Sequence, residues 1–294
     1  MTPVQKAYVE LHIAVLLFGF TAILGDLIDL SAVTLVWWRV LITSVSLLFL
    51  IRVAKLFRTL PRKTILQFMG IGVLVAVHWI AFYGAIKLAN ASIAVVCMAT
   101  TSFFTALLEP LIMRQRIKGF ELVLGLLVIP GMAMIVNSTS PSMLTGIWVG
   151  LLSAFLAALF ATLNKRMVGK SDEMSITFLE LGSAWLFISL ILPFYFWSSE
   201  ETIPFWPSST DWMYLMVLSL LCTTLAYVLA LRSLRHLSAF ASNLAINLEP
   251  VYGIILAWLI LNENEELTGN FYWGVVIILL AVFSYPLLRK RFAK

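Results

Sequence analysis

The sequence predicts an all-α membrane protein with ten transmembrane helices in two inverted five-helix repeats, and three observations carry that prediction. The chain of 294 residues is 61% hydrophobic and only 12% charged, with a mean hydropathy of +0.98, whereas soluble domains run about 25% charged. Its apolar residues fall in runs of about 20, the length that crosses a bilayer as a helix. Its basic residues concentrate in alternate gaps between those runs.

Taken in order, the runs cover approximately 7–27, 31–51, 65–88, 91–112, 119–137, 144–164, 174–197, 211–231, 238–261 and 268–288. They are continuous rather than alternating with a period of two, which argues against barrel strands. Ser31, Thr64, Ser238 and Thr268 stand where N-caps belong. The first run is too long for a signal-peptide core and lacks a small-residue cleavage site, so it is expected to be a helix. The gaps are short and leave no room for a separate soluble domain. With a cytoplasmic N-terminus, every basic residue except Arg39 and Lys87 lies in an inside segment, while Asp29, Glu200, Glu201, Asp211, Glu263, Glu265 and Glu266 lie outside. This positive-inside pattern places both termini in the cytoplasm of a multi-pass protein. The formal charge of +5 therefore reads as membrane orientation; short scattered clusters do not make a nucleic-acid surface.

The halves repeat. Ala85-Ile86-Lys87 and Ala91-Ser92 at the third-to-fourth junction match Ala230-Leu231-Arg232 and Leu237-Ser238 at the eighth-to-ninth, and Gly125 matches Gly274. The repeats span 1–137 and 143–294, separated by the uncharged stretch Asn137-Ser138-Thr139-Ser140-Pro141-Ser142. Five helices is an odd number, so the two halves face opposite ways. Inverted repeats are a hallmark of secondary transporters, which bind substrate near the midplane where the repeats meet.

Phe18-Gly19, Trp38-Arg39, Leu248-Glu249-Pro250-Val251 and Leu261-Asn262-Glu263, in this order and spacing, give the chain a resemblance over nearly its whole length to the EamA branch of the drug/metabolite transporter superfamily. The family often has Trp-Gly in the first helix, and Leu-Gly-Glu-Arg where this chain has Met113-Arg114-Gln115-Arg116. The resemblance implies two EamA-like repeats and export of amino acids or related metabolites across a bacterial inner (plasma) membrane. The other classes are a channel or receptor-like polytopic protein and an intramembrane enzyme. Bulky side chains argue against an open pore, and no nucleophile or metal set for an enzyme is apparent.

Arg39 is the sharpest feature, about 12 Å from the outer end of its helix. Intramembrane charges face the protein interior and pair, or serve function. Its expected partner is Glu249 at matching depth, Glu180 in the seventh helix, or a substrate carboxylate, which guanidinium suits. Glu249 precedes Pro250, which can kink the ninth helix near the midplane, and a buried carboxyl there can carry a proton. Asn243 and Asn247, four apart, share a helix face, as do Cys97 and Thr101 at the positions matched in the first repeat. Those faces either line one pathway or join two helices by hydrogen bonds. Trp79 and Tyr83, and Thr223 and Tyr227, pair likewise; aromatics with polar tips suit either a metabolite cavity or lipid and core packing. Cys97 and Cys222 lie inside apolar runs, so core packing is the simple reading of both. His12, His78 and His236 lack metal spacing, and no nucleotide or hydrolase motif is present, so no cofactor is expected. The expected partners are a small-molecule metabolite, membrane lipids and protons, with no nucleic acid.

Overall fold

The computed structural model describes residues 1–198, 203–261 and 268–292, and among them every regular element is helical. Glu200, Glu201, Asn262, Glu263, Glu265, Glu266 and Lys294, and the side chains at 289–292, lie outside the described residues. The first half comprises α1 (Pro3–Leu27), α2 (Ala32–Leu48), α3 (Val53–Thr59), α4 (Arg62–Leu88), α5 (Ala91–Met98), α6 (Thr101–Met113) and α7 (Gly119–Ser138). The second comprises α8 (Leu144–Met167), α9 (Glu173–Ser198), α10 (Ser209–Ser219), α11 (Ala226–Leu234), α12 (Ala239–Ile246), α13 (Glu249–Leu261) and α14 (Gly269–Phe292). Seven helices or helix runs are long and apolar enough to cross a membrane, or eight if α2 and α3 form one bent span, and Gly119–Met134 is a shorter apolar helix. The protein is therefore an all-helical membrane protein.

Local chemistry sets the ends. α1 starts earlier than its apolar run because Thr2 and Gln5 form a capping box ahead of Pro3. Ser31 and Ser238 cap α2 and α12 by accepting from Thr34 N and Ala241 N. The Thr268 carbonyl accepts from Phe271 N and Tyr272 N, as an N-cap's does. Thr64 is not a cap: α4 begins at Arg62, after Pro61, and Thr64 is a buried residue within it. α2 stops at Leu48 because the chain turns by 90° into α3, a helix absent from the apolar-run reading. α6 ends on Arg114 at φ 53°, ψ 46°, a left-handed position where glycine is the usual residue. That is the place of the glycine in the family's Leu-Gly-Glu-Arg.

Three long helices are interrupted. α5 and α6 are separated by Ala99-Thr100, and α12 and α13 by Asn247-Leu248. Between α10 and α11 the chain makes a π-helical turn over Leu220–Leu225. α4 lies between α8 and α9, α1 against α11 and α13, and α7 against α14. These contacts join the two halves of the sequence. The largest core cluster, from Ile23 and Val36 through Val75 and Leu179 to Leu218, runs through both.

Candidate functional site

The α5–α6 and α12–α13 interruptions border one cavity of about 110 Å³, lined among others by Phe18, Arg39, His78, Trp79, Thr101, Asn164, Tyr227, Asn243 and Glu249. A single water needs roughly 10–15 Å³ of such space, so the cavity holds several waters or a small metabolite.

Arg39 is its centre. The side chain is 1% exposed. Its Nε donates to Thr223 Oγ1 (2.6 Å) and its Nη1 to Tyr83 Oη (2.7 Å). The guanidinium carbon lies 3.9 Å from the centroid of the Trp79 ring, a cation–π distance. The π-helical turn makes this arrangement possible, since it carries Thr223, whose hydroxyl donates to Leu218 O (2.6 Å) while accepting from Arg39. Such turns frequently mark functional positions. Of the three partners the sequence offers for Arg39, the two within the chain are not engaged: neither Glu180 nor Glu249 lies within salt-bridge distance of it. Hydroxyls and an aromatic face hold the cation instead. Its Nη2 donates to no described residue.

Glu249 shares the cavity wall with Arg39, as the first residue of α13, and interacts with its charge without touching it. Glu180 stands behind the wall, fully buried. Its Oε2 accepts from Tyr227 Oη (2.5 Å) and Asn164 Nδ2 (3.2 Å). Two residues that line the cavity, Thr101 and Asn164, each bury a side-chain oxygen, Thr101 Oγ1 and Asn164 Oδ1, that has no hydrogen-bond partner among the described residues.

The sequence-predicted residues thus divide. Trp79, Thr101, Tyr227, Asn243, Arg39 and Glu249 line the cavity; Tyr83, Cys97, Asn247 and Glu180 do not. Asn243 Nδ2 donates to Thr105 Oγ1 (2.7 Å) and Asn247 Nδ2 to Ser102 Oγ (3.0 Å), so both join α12 and the turn after it to α6. The Cys97 thiol points at Ile147 O, 3.8 Å away. The helix bounds also revise the pairing of the halves. α5 and α12 have 8 residues each and α6 and α13 have 13 each, with two residues between in both cases. Aligned on their N-caps, Asn90 and Ser238, the two runs pair Thr101 with Glu249 rather than with Asn247. Both residues open the second helix of their run, and both line the cavity. His78 and Asn164 were not singled out as cavity residues by the sequence. Asn164 adjoins the basic pair Lys165-Arg166, which reads as a helix end, yet α8 continues to Met167 and carries it into the bundle.

At the end where α2 begins and α9 finishes, aromatics cluster across the bundle. Trp38 packs on Trp37, Phe205, Trp206 and Trp212 at 4.8–5.5 Å between centroids. Trp38 Nε1 donates to Phe205 O and Trp37 Nε1 to Ser189 Oγ, each at 2.8 Å. Asp211 Oδ1 accepts from Asp29 N (3.0 Å) at the same end.

A bundle of apolar helices around a cavity, with a partly unsatisfied cation and a carboxylate in its wall, is the architecture of a membrane transporter. The family model of the EamA-like transporters matches residues 5–137 and 144–285, and the chain belongs to that family. A relative described as the uncharacterized transporter YxxF, from Bacillus subtilis (strain 168), is 23% identical over 295 residues, covering 98% of this chain and 91% of its own. A solved structure, titled only as the crystal structure of a protein, superposes with a TM-score of 0.69 over 99% of both chains at 14% identity, a likeness of fold.

Proposed function

We propose that the chain is a secondary transporter that exports amino acids or related zwitterionic metabolites across the inner (plasma) membrane by alternating access. The observation that carries this reading is Arg39, a buried guanidinium held by Thr223 and Tyr83 with, among the described residues, one nitrogen unused and no carboxylate in contact. A substrate carboxylate completes that set, because guanidinium recognises carboxylate through paired donors. The substrate ammonium then faces Glu249, with Asn164 and Thr101 beside it in the lining of the same cavity.

Ten transmembrane helices in two inverted repeats, 1–137 and 143–294, provide the moving parts. Two matches of one family model along the chain support this division, as do the equal helix lengths around the two interruptions. The distribution of Lys and Arg supports cytoplasmic termini. In this orientation the aromatic cluster lies on the outside, and rocking of the halves opens it while closing the inner end.

The test is uptake into proteoliposomes of a panel of amino acids, their decarboxylated amines and their esters, with and without a pH gradient. Saturable flux of free amino acids, with amines and esters excluded, is expected. Flux that does not saturate, or chemical turnover of the panel, would assign the protein to the channel or enzyme class.

A further inference from the structure

A second cavity, of about 260 Å³, lies away from the central one and takes no part in the proposed transport chemistry. It is bounded by the elbow between α2 and α3 (Leu50, Ile51, Arg52, Lys55, Leu56 and Thr59) and by the α8–α9 junction at Ser171, Asp172, Met174 and Ser175. Arg52, Lys55, Leu56 and Thr59 follow i, i+3, i+4, i+7 spacing, so one helix face supplies them. Leu56 is buried and anchors that face. Arg52 and Lys55 are exposed and form no ion pair or side-chain hydrogen bond among the described residues, and the same holds for neighbouring Arg58, Arg62 and Lys63 and for Lys170, which precedes the lining residue Ser171. One acid, Asp172, faces these cations; its Oδ1 is taken by Ser175 N (2.9 Å) at the start of α9. The opposite wall is rigidly held, because Arg235 donates to Ser171 O (2.6 Å) and pairs with Glu173.

Apolar side chains flank the cations. Phe49, Leu50 and Phe57 are 86%, 60% and 51% exposed. A 90° turn that places bare aromatics next to bare cations fits a helix lying in the membrane interface, apolar groups toward acyl chains and charges toward headgroups. We propose that this elbow and the α8–α9 junction form a binding site for the phosphate headgroup of an anionic phospholipid. The phosphate sits between Arg52 and Lys55, and the acyl chains run beside Phe49 and Phe57. Charge complementarity selects the ligand, since the cations around the cavity outnumber its single acid. The exposed apolar residues select a lipid over a soluble phosphate ester. Bound there, the lipid bridges the two halves of the sequence at one membrane face.

The test compares the full-length protein in nanodiscs of phosphatidylcholine alone and of phosphatidylcholine with a quarter phosphatidylglycerol, read by thermal unfolding and by lipid retained in native mass spectrometry. Phosphatidylglycerol is expected to raise the unfolding temperature and to be retained. The Arg52→Ser/Lys55→Ser double variant should lose about fivefold in affinity for each cation removed. An Arg62→Ser/Lys63→Ser control, equal in charge change but outside the cavity, should keep most of the preference. The charge-preserving Arg52→Lys/Lys55→Arg variant should restore it if the serine variant misfolds. Equal losses in the two serine variants would reduce the effect to general surface charge and overturn the site. So would a wild type indifferent to phosphatidylglycerol, or full competition by soluble glycerol phosphate.

Discussion

At the scale of single residues, Arg39 is where sequence and structure meet most closely. One cation in an apolar run is costly enough to demand interior placement, and that placement is found: the residue is buried and faces the cavity. Its surroundings were not legible, because the hydroxyls that hold it come from α4 and from the π-helical turn, distant in sequence. Glu180 was likewise readable as a buried acid but not as the partner of Tyr227 and Asn164. The arrangement predicts a separation between substrate recognition and folding. Arg39→Met should keep a monodisperse folded protein while lowering amino-acid uptake by roughly 10–100-fold, the loss of one charge-assisted contact of about 1.5–3 kcal/mol. Arg39→Lys should not restore it, since an ammonium cannot engage Thr223 and Tyr83 and still present a planar pair to a carboxylate. Proteoliposome kinetics on matched amounts of protein check this; wild-type KM and rate in Arg39→Met would remove Arg39 from the site.

At the scale of helices, apolar runs located the elements because lipid demands length and hydrophobicity. Interruptions inside those runs were less visible. The Pro250 signal does mark a real break, with α13 beginning at Glu249. The break before Thr101 carries no proline. Side-chain hydroxyls share the carbonyls there: Thr100 Oγ1 donates to Cys97 O (2.7 Å), which also accepts from Thr100 N (3.0 Å), and Ser102 Oγ donates to Ala99 O (3.2 Å) within the break. Helix contact also depends on a glycine whose importance composition cannot reveal. At Gly72, on α4, a Cβ would lie 2.0 Å from Glu180 O and 2.2 Å from Ser183 Oγ on α9, whereas at Gly70 nothing lies within 4 Å. Gly72→Ala should therefore force α4 and α9 apart and destabilise by about 1–3 kcal/mol. Gly70→Ala should be neutral or stabilising by up to about 1 kcal/mol, through helix propensity alone. Thermal unfolding of both in one detergent tests the pair, and equal effects would contradict the packing described for α4 against α9.

At the scale of the whole molecule, the chain is an EamA-like membrane transporter in which pieces of both halves meet at one cavity. Thr101 from the first half and Glu249 from the second open equivalent helices into it. The charge pattern and these matched interruptions support the proposed division into two inverted repeats, and under that proposal the cavity is where substrate meets the moving parts. The most direct measurement is thiol labelling at Thr101. In a Cys97→Ser, Cys222→Ser background, Thr101→Cys in proteoliposomes is treated with a small water-soluble thiol reagent, with and without a transported amino acid. If Thr101 lines the substrate pathway, this cysteine reacts, substrate slows the reaction, and the modified protein stops transporting. A cysteine that stays inert while transport continues, or that reacts equally fast with substrate present and leaves flux unchanged, would contradict it.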